Sequence, residues 1–161
     1  MNETKPARIV CLDIDGVIAS DRFYSKRRER GQYFEKSKID LLNQLAGAYV
    51  LVTSSWGPDG GRTTKLLGEA GLELPIIGYT RKVHWEFEWA CRGNEIREWF
   101  LKTYGSDNME YGDHNDDFYE YVIFDDDTDM LLGQKDHFIH VNSWTGLTKR
   151  DIERAKKILK L

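Results

Sequence analysis

Asp13 and Asp15 are the residues of this chain most able to do chemistry. They are spaced i, i+2 at the end of the apolar run Ile9-Val10-Cys11-Leu12 and are followed at once by Gly16. In an extended strand that spacing sends both side chains to the same side, with Ile14 facing away. Two like charges held so close are costly without a cation or a proton between them. The pattern suits a charge-neutralised catalytic pair; its plain alternative is a solvated turn at a strand end.

Two other apolar runs also end in groups suited to phosphoryl chemistry. Tyr49-Val50-Leu51-Val52 leads into Thr53-Ser54-Ser55, and Tyr121-Val122-Ile123-Phe124 leads into Asp125-Asp126-Asp127. Continuous apolar runs are the mark of parallel strands buried on both faces, and open α/β sheets bind ligands beyond the carboxyl ends of such strands. The three polar clusters are therefore expected to converge on one edge. A cluster of acids at a helix start is the bland reading of Asp125–Asp127.

The elements that must position these groups alternate between strand and helix, which predicts a three-layer α/β/α Rossmann-like fold with a mostly parallel five-stranded sheet. Strands are expected over about 8–14, 49–53, 74–77, 121–124 and 137–141. Helices are expected over 38–47, with Ser37 as N-cap, Asp40 three residues on and Gly47 beyond, and over 63–70, ended by Gly71. Two more are expected over 93–104 and 149–160, the last opened by the capping-box-like Thr148-x-x-Asp151. The acidic stretch 106–120 reads as a loop. No repeat or low-complexity tract interrupts residues 1–161, so a single domain is expected.

The segment Asp13-Ile14-Asp15-Gly16-Val17 resembles the first motif of the haloacid dehalogenase (HAD) superfamily of phosphotransferases. The order that follows is similar too: a strand ending in Thr53, a cation, then a strand ending in paired acids. The resemblance narrows with Ser-Ser-Trp after the second strand, Arg-Gly-Asn-Glu-Ile-Arg-Glu-Trp, Tyr-Val-Ile-Phe-Asp-Asp-Asp-Thr-Asp-Met and Gly-Leu-Thr. Over about residues 8–160 these resemble the HAD domain of Swiss Army Knife RNA-repair proteins.

The resemblance implies that Asp13 is a nucleophile forming an aspartyl phosphate and that Asp15 is a general acid, then a general base. It implies that Thr53, with Ser54 and Gly16, binds the phosphoryl group. Mg²⁺ takes hard oxygen ligands, and Asp13, Asp15 (through its carbonyl), Asp126 and Asp125 are the implied set. For the cation, Arg92 fits by position and Lys82 by residue type; either would neutralise phosphoryl charge. The implied activity is removal of terminal phosphates from nucleic acid. A phosphatase for small molecules such as nucleotides, or a non-catalytic HAD-like binding module, are the alternatives.

Net charge is −4, with 31% charged residues and 40% hydrophobic ones, as in ordinary globular proteins. The charge is uneven. Residues 21–38 carry seven bases against three acids, whereas 106–120 carry six acids and no base. The basic segment forms a flap, about 18–36, in which Phe23, Tyr24, Tyr33 and Phe34 are interleaved. It is expected either over the mouth of the site, where bases and aromatics hold a strand of nucleic acid, or as a solvated β-flap packed on the core. The spacing between elements leaves no room for a large cap.

No apolar run reaches the length of a membrane span, the polar start is not a secretory signal, and two cysteines make no disulfide framework. A cytoplasmic protein with a reduced, buried Cys11 is expected. Trp85, Trp89 and Phe100 are expected as packing residues. His84, His114, His137 and His140 lack metal-ligand spacing. Asp113-x-Asn115-x-Asp117 begins like a calcium loop but has Phe118 in place of the required glycine. Gly57-Pro-Asp-Gly-Gly-Arg fails the spacing of a nucleotide-binding phosphate loop.

Overall fold

Strands buried on both faces need an apolar side chain at every position. Ile9–Leu12, Val50–Val52 and Tyr121–Phe124 meet that need, each residue being at most 2% exposed. The computed structural model describes residues 8–26, 30–82, 91–105 and 119–161, and the backbone alone of 84–85 and 88–89. The chain runs β1 (Arg8–Leu12), α1 (Asp21–Ser25), α2 (Lys36–Leu42), β2 (Tyr49–Val52), α3 (Arg62–Glu69) and β3 (Ile76–Tyr79). It continues through β4 (His84–Trp85), β5 (Glu88–Trp89), α4 (Arg92–Tyr104), β6 (Glu120–Asp125), β7 (Phe138–His140) and α5 (Lys149–Leu159).

The main sheet is wholly parallel, in the order β3-β2-β1-β6-β7, and β4 pairs with β5 in a small antiparallel ribbon. The chain steps outward from β1 to β3, then returns to the other side of β1. Strand order reverses between β1 and β6, and a crevice opens beyond their carboxyl ends. Alternation sorts the two faces. Val10, Leu12, Val50, Val52, Val122 and Phe124 pack with α2, α3 and α5. Ile9, Cys11, Leu51, Tyr121 and Ile123 pack with Ile96 and Phe100 of α4. This is the three-layer α/β/α arrangement the sequence implies.

Several expectations are displaced. α2 begins at Lys36 rather than after Ser37, because Glu35 is pinned on both sides. Its N–H donates to the Ile18 carbonyl at 2.9 Å, and its carboxylate accepts from the Ser20 N–H at 3.1 Å and from the Ser20 hydroxyl. α2 also stops at Leu42, and a 3₁₀ turn over Asn43–Leu45 completes the segment. β3 starts two residues late: Pro75 has no N–H to give the ladder, though its carbonyl accepts from Val50 at 2.8 Å. The basic flap is helical at α1, N-capped by Ser20, rather than a β-flap. Its Phe34 is 4% exposed and packs on Trp56, and Phe23 and Tyr33 pack on the core.

The capping box at Thr148 and Asp151 forms as read, and Cys11 and Phe100 are fully buried. The ribbon β4/β5 had no signal in the sequence. The side chains of His84, Trp85 and Trp89, together with His114, the Asp113–Asp117 pattern and most of the acidic loop, lie outside the described residues. Among the described residues, no helix is long and apolar enough to cross a membrane.

Candidate active site

The sheet register builds the site. Leu12 lies opposite Val52 on one side and Phe124 on the other, so the next residue of each strand falls in one row: Thr53, Asp13, Asp125. Backbone bonds carry the ladder into that row, with Asp13 N–H on the Phe124 carbonyl at 3.0 Å and Thr53 N–H on the Leu12 carbonyl at 2.8 Å. Alternation then continues the face of Cys11, Leu51 and Ile123, the face covered by α4. The row therefore meets the first turn of α4, where Arg92 stands.

Arg92 is the cation the structure brings to the acids. Its Nη2 lies 3.8 Å from Asp13 Oδ1, its Nε 3.4 Å from Asp125 Oδ2, and its Nη1 3.1 Å from Glu95 Oε2. Glu95 is 7% exposed and orients the guanidinium from one turn on. The Arg92 N–H donates to Asp129 Oδ2 at 2.8 Å, tying the helix start to the loop after β6. Lys82 is exposed, and its charge acts on Glu95. Gly93 makes this docking possible: a Cβ there would lie 2.5 Å from the Leu131 nitrogen.

Asp13, Asp125 and Asp126 bring carboxylate oxygens within 4.8 Å of one another. Burial pushes Asp125 up to about 8 and Asp13 up to about 6; the neighbouring Asp13 charge adds to the first shift, while Arg92 opposes both. Asp126 is raised as well, by burial and by the charges of Asp127, Asp21 and Asp15. The guanidinium of Arg92, itself shared with Glu95, pairs with two of these three carboxylates, Asp13 and Asp125. That surplus of negative charge on hard oxygen donors fits a divalent cation such as Mg²⁺.

The other expected residues fall around this centre. Ser54 and the Ile14 N–H face the Asp13 carboxyl and favour its charged form, against its burial. Thr53 is fully buried and its hydroxyl has no partner among the described residues; the hydroxyl of the 4% exposed Thr80, one strand further out, has none among them either. Asp125 Oδ1 accepts from the Asp127 N–H at 2.9 Å, and Oδ2 has only the ion-pair distance to Arg92. Gly16 takes a steric part. Its N–H is bonded to the Ala19 carbonyl, its φ is +74°, and a Cβ would sit 2.4 Å from the Asp126 carboxyl.

Asp15 is held at both carboxylate oxygens. The Tyr24 hydroxyl donates to Oδ1 at 2.6 Å and the Trp56 indole N–H donates to Oδ2 at 3.0 Å. The aromatic donors escaped the sequence reading, although Tyr24 lies in the flap and Trp56 follows Ser-Ser. Glu95 and Asp129 escaped it too. His137 stacks on Tyr121, and His140 bonds the Asp126 carbonyl at 2.8 Å, so the two described histidines serve the frame of the site.

A parallel three-layer sheet with paired acids beyond its two central strands defines an α/β domain of the HAD class. The chain belongs to a particular branch of that class: the HAD domain in Swiss Army Knife RNA repair proteins, whose family model matches residues 9–152. No curated protein and no solved structure matches the chain significantly.

Proposed function

We propose that this protein is an Mg²⁺-dependent phosphomonoesterase that removes terminal phosphates from nucleic acid through an aspartyl phosphate on Asp13. The observation that supports it most is the single row of Thr53, Asp13 and Asp125 at the crevice, closed by Arg92. In-line attack by an Asp13 oxygen on phosphorus breaks the ester bond, and Asp15 gives its proton to the leaving oxygen. Asp15 then takes a proton from the water that attacks the acyl phosphate, which frees inorganic phosphate and restores Asp13.

The partners of Asp15 suit a group that must be acid and base in turn. An indole N–H can only donate, so Trp56 stays on one oxygen in either state. A phenol can donate to a carboxylate or accept from a carboxylic acid, so Tyr24 follows the proton. Thr53, with an unpartnered buried hydroxyl, is ready to donate to a phosphoryl oxygen, a role shared with Ser54; Arg92 offsets the developing charge. Asp13, Asp126 and the Asp15 carbonyl would hold Mg²⁺, with Asp125 beside them. The ion would supply further charge neutralisation at the phosphoryl oxygens.

The test is phosphate release with Mg²⁺ from a 3′-phosphorylated oligonucleotide, a 5′-phosphorylated one and a mononucleotide, for wild type beside Asp13→Asn. Release from one oligonucleotide end, lost in the variant, is expected. Release from mononucleotides alone would move the substrate to the nucleotide pool, and normal turnover by Asp13→Asn would sink the mechanism.

A further inference from the structure

α1 has different neighbours on its two sides. Tyr24 reaches Asp15 from it. Arg22 and Lys26 instead line a cleft of about 420 Å³, whose other walls are α2, with Lys38, and the start of α5, with Lys149. The one acid lining this cleft, Glu35, is engaged by the N–H and hydroxyl of Ser20. Among the described residues, none of these four cations lies within ion-pair distance of a carboxylate; Lys38 donates to the Leu147 carbonyl at 2.9 Å. The cleft thus gathers bases from the α1 segment, from α2 and from the far end of the chain at α5, and among its described lining residues Glu35 is the one acid.

We propose that this cleft is a second phosphate subsite, which holds the backbone of a nucleic-acid strand whose terminal phosphate lies at Asp13. The inference rests on the end-processing reading above and adds the path of the strand. α1 borders both regions, with Tyr24 on one and Arg22 on the other, and a helix with its side chains is about 10 Å across. Single strands carry a phosphate at every nucleotide, so one chain reaches both regions over that distance. Aromatic surface lies along the way. Tyr24 is 36% exposed, and Trp144, 55% exposed, accepts the Arg22 N–H at its carbonyl at 3.3 Å. Exposed aromatics beside bases are what a stacked single strand requires.

The test is the double charge reversal Arg22→Glu with Lys149→Glu in the full chain. Both side chains are exposed, and Lys149 opens α5, where an acid is favoured by the helix dipole. The probe is a labelled single-stranded oligonucleotide without a terminal phosphate, followed by fluorescence anisotropy without Mg²⁺. Wild type should bind it, with affinity falling steeply as salt rises. Losing two phosphate contacts should shrink that fall by about sevenfold between roughly 50 and 200 mM salt. With Mg²⁺, KM for a phosphorylated oligonucleotide should rise about tenfold or more, while turnover of para-nitrophenyl phosphate stays unchanged.

Unaltered binding and salt dependence in the double variant would overturn the proposal. So would intact oligonucleotide binding with lost binding to phosphatidylserine vesicles, which would assign the cleft to another anionic surface. If wild type releases phosphate from no substrate yet the variant loses oligonucleotide binding, the subsite stands and the catalytic reading fails.

Discussion

Asp125 offers a test of the buried acid cluster that does not depend on turnover. Its carboxyl rises from an ordinary 3.8 to about 8 in the folded protein, chiefly through burial. The folded state therefore holds a proton that the unfolded chain releases near pH 4. That contribution to stability is complete below the unfolded value, falls as pH rises from there to the folded value and levels off above it, opposite to a salt-bridged carboxylate. Each pH step between the two values costs about 1.4 kcal/mol. From pH 6 to pH 8 the loss is then roughly 2 kcal/mol, or a fall in Tm of about 4–8 °C for a chain of this size.

Asp13, raised only to about 6, makes most of its own contribution to the pH dependence below that window. The assay is thermal melting without metal at pH 6 and pH 8, for wild type beside Asp125→Asn. The neutral isostere should melt higher than wild type at pH 8 and lose that part of the slope, which subtracts every other titrating group. Added Mg²⁺ should raise the wild-type Tm more at pH 8 than at pH 6, because the cation competes with the proton. The same slope in wild type and variant would refute the reasoning.

Arg92→Ala should lower kcat/KM by about 10²–10³-fold, the usual cost of losing one preorganised charge at a transition state, with Arg92→Lys recovering part of it in the phosphate-release assay. Tyr24→Phe should reduce kcat by about tenfold in the same assay, because Asp15 loses one of the two donors that hold its carboxylate; an unchanged kcat would count against that role. Gly93→Ala should cost about 1–3 kcal/mol in urea unfolding, since a Cβ there meets the Leu131 nitrogen at 2.5 Å. Phe100→Ala, which empties the face between α4 and the sheet, should cost about 3–5 kcal/mol by the same measurement.

Local rules carried much of the reading. The apolar runs ending in Asp13, Thr53 and Asp125 were legible because burial on both faces of a parallel strand demands them, and Thr148 with Asp151 was legible because a cap is a local bond. Boundaries failed where a distant partner decided them. The bonds of Glu35 to Ile18 and Ser20 moved the start of α2, and pairing beyond Pro75 moved β3. Aromatic residues of the flap were divided by packing: Phe34 went to the core, while Tyr24 went to Asp15. Composition treats them alike.

By itself the sequence determined the chemistry on offer: two carboxylates on a strand end, a hydroxyl cluster and a second acid cluster, on an alternating α/β frame. Those follow from residue type and from periods of two and 3.6 residues, which are local properties of the chain. Only the tertiary structure decided which cation lies against the acids, because Arg92 and Lys82 are both eligible in sequence and the docking of α4 at Gly93 brings Arg92 to Asp13 and Asp125. It also decided that Tyr24 and Trp56 hold Asp15, and that Lys38 and Lys149 join Arg22 and Lys26 in one cleft. Such meetings depend on register, crossover and loop closure, and electrostatic energy follows distance in space rather than separation along the chain.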